Sequence, residues 1–173
     1  MAGKVVQINR APVLTLWAAV VAEHLGYDRD EALTFGKAVA GLNAQSKGRR
    51  LGIFKPGKDE GRRPEGERPG AEFRVALLGR AVPAVETDGG VRAIIKGRMI
   101  EPEKVADYLE RKFGEDLDDV RAAMDVLAGG FAKEELAERA YSLYESFRPE
   151  IPLGKKGWGA KGDLDLARIR SLT

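Results

Sequence analysis

The chain of 173 residues contains no cysteine. That absence excludes disulfides, thiolate nucleophiles and cysteine-ligated zinc, and it fits a reducing, cytoplasmic setting. Histidine is almost as scarce. His24 is the one imidazole, at the end of an apolar helical run, where a structural role is expected rather than a general base. Thr34, Ser46 and Ser142 have no base motif beside them, so a non-enzymatic protein without cofactor or metal is expected. No apolar run approaches the roughly 18 residues that cross a bilayer, which argues against a membrane protein. The opening MAGKVVQINR lacks the apolar core of a secretory signal, so the chain as written is expected to be the mature form.

What is present suits a folded chain: 43% of residues are apolar and 32% charged, enough of each for one ordinary core with a solvated surface. The formal net charge is only +2, but its distribution is uneven. Residues 46–70 carry eight cations against four acids, and residues 151–173 five against two. Between them, residues 101–150 carry seven cations against fourteen acids. Basic and acidic segments are thus separated along the chain.

The periodicity predicts an α+β fold, mostly helical. A helical hairpin is expected over 1–48. Pro12 suits a first helical turn, Val13, Leu14, Leu16, Trp17, Val20, Val21 and Leu25 follow helical spacing, and Gly26 ends the run. Asp28 and Glu31 form an approximate capping box for the second helix, whose apolar residues Ala32, Leu33, Phe35, Ala38, Val39 and Leu42 leave little polar circumference. Ala18, Ala22, Gly36 and Ala40 recur at four-residue spacing and would let the two backbones approach closely. Helices so apolar also suggest self-association, a homodimer being the simplest form.

Ala22-Glu23-His24-Leu25-Gly26 resembles the A-x-x-L-G turn of helix-turn-helix DNA-binding modules. The next helix, however, opens on Asp28-Arg29-Asp30-Glu31, which phosphate would repel, so the favoured reading is a packed hairpin whose glycine stops the first helix.

A basic Gly/Pro-rich linker is expected over 49–71, with six glycines and three prolines between Ser46 and Gly70; Leu51, Ile53 and Phe54 suggest that its first part docks. Residues 72–152 are expected to hold one β-hairpin, turning at Thr87-Asp88-Gly89-Gly90 with Pro83 at an edge or bulge, and then three helices. Arg74, Arg80, Arg92, Lys96 and Arg98 are read as its solvated face or, alternatively, as a wing against a nucleic-acid backbone. The helices begin after Pro102 and are punctuated by Gly114, by Gly129-Gly130 and by Arg148-Pro149. The acidic run Glu115, Asp116, Asp118 and Asp119 opens the middle one, where the helix dipole favours carboxylates, and its spacing is not that of a calcium loop.

Residues 153–173 read as a basic tail with a short terminal helix that Asp163 could cap, Leu164, Leu166, Ile169 and Leu172 being available for docking. Its GKKGWGAKG stretch has the glycine spacing of a nucleotide-binding loop at Gly154 and Gly159. Ala160 intervenes before Lys161, and Gly162 stands where a hydroxyl is required, so that reading is rejected. Trp158 could stack on a base between cations or pin the tail to the body.

Two functions follow from these patterns. One is a nucleic-acid-associated protein contacting DNA or RNA phosphates without sequence preference, through Lys47, Arg49, Arg50, Arg62, Arg63, Lys155, Lys156 and Lys161, with Trp158 as the aromatic platform. The other is a self-associating or protein-binding module held by the apolar N-terminal helices.

Overall fold

The computed structural model describes residues 4–50, with backbone alone from 44, and residues 72–149 and 161–172. The expected docking trio Leu51, Ile53 and Phe54, and the candidate contacts Arg62, Arg63, Lys155, Lys156 and Trp158, lie outside the described residues.

Element order is β1 (Val5–Ile8), α1 (Arg10–His24), α2 (Arg29–Arg50), β2 (Phe73–Leu77), β3 (Arg80–Thr87), β4 (Gly90–Ile95), β5 (Arg98–Met99), α3 (Pro102–Phe113), a 3₁₀ turn (Gly114–Asp116), α4 (Leu117–Gly129), α5 (Lys133–Phe147), β6 (Gly162–Asp165) and α6 (Leu166–Ser171). The arrangement is α+β and mostly helical, as the periodicity predicts.

Helix α1 is the centre. Every residue from Pro12 to Ala22 is buried, because α2, α3, α4 and α5 all pack on it. A helix apolar on all sides needs such cover. Trp17, fully buried, meets Phe147 edge-to-face at 5.3 Å between ring centroids and donates its indole N–H to the Ala140 carbonyl at 2.8 Å. The apolar faces on which self-association was expected are therefore interior, covered by the protein's own helices.

One of the four small residues, Gly36, lies in close approach to Thr15 and Ala19 of α1. In addition, α2 continues to Arg50, through Gly48, so the first residues assigned to the linker extend the helix. The chain stays helical there because glycine costs only about 1 kcal/mol in a helix interior, a weak stop when nothing else ends the run.

The capping box at the start of α2 forms as expected. The Asp28 N–H donates to Glu31 Oε1 at 3.0 Å, and the Glu31 N–H donates to Asp28 Oδ1 at 2.8 Å. The same glutamate then reaches the sheet, where the Val91 N–H donates to Glu31 Oε2 at 2.8 Å. One turn on, the buried Thr34 hydroxyl accepts from the Ala93 N–H at 3.0 Å and donates to the Glu31 carbonyl at 2.8 Å. Strand β5 is two residues long, so side chains of α2 satisfy ladder donors of β4 that β5 does not reach. Thr34→Val keeps the shape of the side chain and leaves the buried Ala93 N–H without an acceptor. Chemical denaturation should show a loss of about 1–3 kcal/mol.

The first turn of α2 is thus committed to the sheet, which removes the helix-turn-helix reading. In that motif the second helix must present its opening turn to DNA, and here Glu31 and Thr34 hold it against β4.

In place of one hairpin, the sheet is an antiparallel meander, β2-β3-β4-β5. The turn at Thr87–Gly90 is where the sequence puts it, with the Thr87 hydroxyl donating to the Gly90 carbonyl at 2.7 Å. The other two turns are Leu78-Gly79 and Lys96-Gly97. In both, a non-glycine and its glycine hold positive φ, at 49° and 76° and at 51° and 79°, the backbone of a tight two-residue hairpin. Pro83 lies opposite Arg74, just before the β3–β4 register begins at Ala84, where β3 is paired with β2 alone.

The tail is not wholly free. Strand β6 pairs antiparallel with β1, Val6 opposite Leu164, bringing the two ends of the described chain together. Leu164, Leu166 and Ile169 are buried, and α6 packs on α4. The cap of α6 is Asp165, which accepts from the Ala167 N–H at 3.0 Å; Asp163, the expected cap, lies within β6 and bonds Gln7 across the strand pair. The strand shifts the helix start by two residues, so the cap shifts with it.

Lys4 closes this clasp. Its ammonium lies 2.6 Å from Asp116 and 2.8 Å from Asp119, at the start of α4. Hydrogen bonding to both carboxylates raises the Lys4 ammonium, and the same contact holds Asp119 below its ordinary value. The lowered carboxyl contributes stability above about pH 3.8 and loses it as the pH falls through its folded value. The raised ammonium contributes below about pH 10.5 and is lost at higher pH. Amide shifts of β1 followed by NMR should therefore report fraying as acidification passes below about pH 3.8, and Lys4→Met should abolish that dependence.

Candidate nucleic-acid interface

A phosphate-binding surface needs cations that the protein's own acids do not neutralise. Five acids of the acidic lobe pair with nearby side chains. Asp116 and Asp119 take Lys4. Asp125 takes His24 Nε2 at 3.2 Å, and Arg121 lies between Asp125 and Glu23. Glu101 pairs with Lys104, and Glu135 with Arg139. His24 thus ties α1 to α4, and among the described residues no group of three or more potential ligands could hold a metal ion.

Three of the sheet arginines are engaged separately, whereas Lys96 and Arg98 are exposed at the β4–β5 turn. Arg74 pairs with Glu72 at 2.7 Å. Arg92 donates to the Val91 and Gly89 carbonyls of its own turn. Arg80 donates to Asn43 Oδ1 at 2.9 Å, and the Tyr141 hydroxyl donates to the same oxygen at 3.2 Å. That buried amide joins α2, β3 and α5, which makes Arg80 a structural cation.

Of the residues proposed from sequence, Lys47, Arg49 and Arg50 occupy the final turn of α2, where cations also complement the negative end of the helix dipole. Lys161 is exposed immediately before β6, and among the described residues no ion pair includes it. Lys161 stands next to Gly162, the β6 residue paired with Ile8 of β1.

The structure adds a cationic group that the sequence reading did not single out. Lys37, half-buried in the middle of α2, places its ammonium 4.4 Å from the centroid of the Tyr108 ring of α3. Lys112, one turn after Tyr108, lies 5.9 Å from the same centroid. Burial, with the added repulsion of Arg111 and Lys112, pushes the Lys37 ammonium below its ordinary value. Burial likewise raises the Tyr108 phenol, so the ring stays neutral and its π face remains available to a cation. Among the described residues no carboxylate forms an ion pair with Lys37, Arg111 or Lys112. One signal was visible in the sequence. Lys37 stands alone as a cation between the buried residues Phe35, Gly36, Ala38 and Val39, where a solvated face would not place it.

Among the described residues, no helix is long and apolar enough to cross a membrane. Compared with protein-family models, curated proteins and solved structures, the chain has no match.

Proposed function

We propose that this is a non-enzymatic nucleic-acid-associated protein that contacts phosphates of DNA or RNA largely without regard to sequence. The contacts come from Lys47, Arg49 and Arg50 at the end of α2, from Arg62 and Arg63 in the segment that follows, and from Lys155, Lys156 and Lys161 before β6, with Trp158 as a stacking surface. The supporting observation is the disposition of ion pairs. The acid-rich helices draw on Lys4, Lys104, Arg121 and Arg139, whereas exposed Lys161 lies outside every ion pair among the described residues. Cations that are not consumed internally are the ones that release counterions when a phosphate chain docks.

Titration of labelled duplex DNA and single-stranded RNA at low salt tests this. The full chain should bind both. Deleting residues 154–173, or neutralising Arg49, Arg50, Arg62 and Arg63 together, should each weaken binding by at least about tenfold, since each lost phosphate contact removes part of a salt-dependent total. Equal affinity in all three proteins would overturn the assignment of those residues, and no binding at low salt would overturn the function.

A further inference from the structure

Lys37 of α2 and Lys112 of α3 both approach the Tyr108 ring where the two helices pack, and the neighbouring Arg111 is near enough to repel Lys37. The last turn of α3 explains Arg111 and Lys112 by itself, because cations are favoured beside the free carbonyls that end a helix. It does not explain Lys37. That residue is mid-helix and half-buried, it is repelled by both neighbours, and it is not matched to a carboxylate among the described residues. The face of Tyr108 offsets part of this cost, yet a ring face attracts a cation without accepting its hydrogen bonds in the manner of an anion. Two ammonium groups drawn to one half-buried ring, with a guanidinium near enough to repel the first, are stable together when an anion sits between them.

We propose that the α2–α3 junction binds one phosphoryl group, whose oxygens accept hydrogen bonds from the Lys37 and Lys112 ammonium groups and from the Arg111 guanidinium, with the Tyr108 ring holding the Lys37 ammonium in place. Guanidinium suits phosphate oxygens through its paired donors, and ammonium groups act as point charges beside it. The inference goes beyond the nucleic-acid reading and does not depend on it, because Lys37, Tyr108, Arg111 and Lys112 are none of the residues on which that reading rests.

The test uses the full chain carrying isotope-labelled lysine and tyrosine. Inorganic phosphate and pyrophosphate are titrated in, with chloride adjusted to hold ionic strength constant. Saturable shifts of the Lys37 side-chain and Tyr108 ring signals are expected, and Lys37→Gln and the double variant Arg111→Gln with Lys112→Gln should each weaken binding by about tenfold or more. Arg111 and Lys112 are exposed, so the double variant is informative even where Lys37→Gln impairs folding, which thermal unfolding reports separately. A second arm adds a short oligothymidylate. Shifts of the same signals would identify a nucleic-acid backbone as a source of the phosphoryl group, and shifts with phosphate and pyrophosphate alone would identify small phosphorylated ligands and leave the nucleic-acid reading to its own assay. Shifts that never saturate, shifts that chloride reproduces, or unchanged affinity in the double variant would overturn the site.

Discussion

Gly36→Ala should destabilise the protein by about 2 kcal/mol or more, although the same change in an isolated helix would stabilise it by about 1 kcal/mol. The sign reverses because of what a methyl group would meet. A Cβ at position 36 falls well inside van der Waals contact distance of the Thr15 carbonyl oxygen, 3.2 Å from the Ala19 nitrogen and 3.3 Å from the Ala19 Cβ. Two of these three atoms belong to the backbone of α1 and cannot turn aside, so α1 and α2 must separate at the centre of the core. Gly41→Ala supplies the control. Its Cβ would meet Ile95 Cδ1, the end of a side chain that can change rotamer, so helix propensity should roughly offset the clash and leave stability within about 1 kcal/mol of the parent. Thermal and denaturant unfolding of the two variants side by side would decide the point. Gly36→Ala as stable as Gly41→Ala would mean that the hairpin is not packed backbone to backbone.

Trp17→Ala is expected to cost about 3–5 kcal/mol, a large part of the 5–15 kcal/mol that keeps an ordinary domain folded. The indole is fully buried, its edge-to-face partner Phe147 is itself 1% exposed, and a cavity there would open between α1 and α5, where α1 cannot move to close it without leaving α2 and α4. Trp17→Phe should cost less, about 1–2 kcal/mol. It retains much of the aromatic volume, and the Ala140 carbonyl that loses the indole N–H lies inside α5, where the helix supplies a donor of its own. Denaturant melts of both variants would show a clear separation if Trp17 works through volume, and near-equal losses if the indole N–H carries the effect.

Helices were the legible part of this chain because their signal is local. Leu136, Ala140, Leu143, Tyr144 and Phe147 define the buried stripe of α5 by spacing alone, and all five are buried. The Asp28–Glu31 box was readable for the same reason, being complete within four residues. Strands β1 and β6 were not. Each has four residues, and what makes them strands is their partner, Val5 lying opposite Asp165 at the other end of the chain. The meander was half visible. Its middle turn uses Asp-Gly-Gly, whereas the outer two place Leu78 and Lys96 at positive φ, residues that give no turn signal. The Lys37 group was hidden in the same way as β1, since Tyr108, Arg111 and Lys112 come from a helix some seventy residues later, and only folding puts them beside α2. By contrast, the separation of basic from acidic segments was readable by counting.

Electrostatic attraction between those basic segments and a phosphate backbone leaves a quantitative signature. Affinity for duplex DNA, measured from about 50 to 200 mM salt, should fall linearly on logarithmic axes with a slope near −0.9 per phosphate neutralised, a loss of about 10³–10⁵ for six to ten contacts. A slope near zero, or the absence of any binding at the lowest salt, would contradict the account.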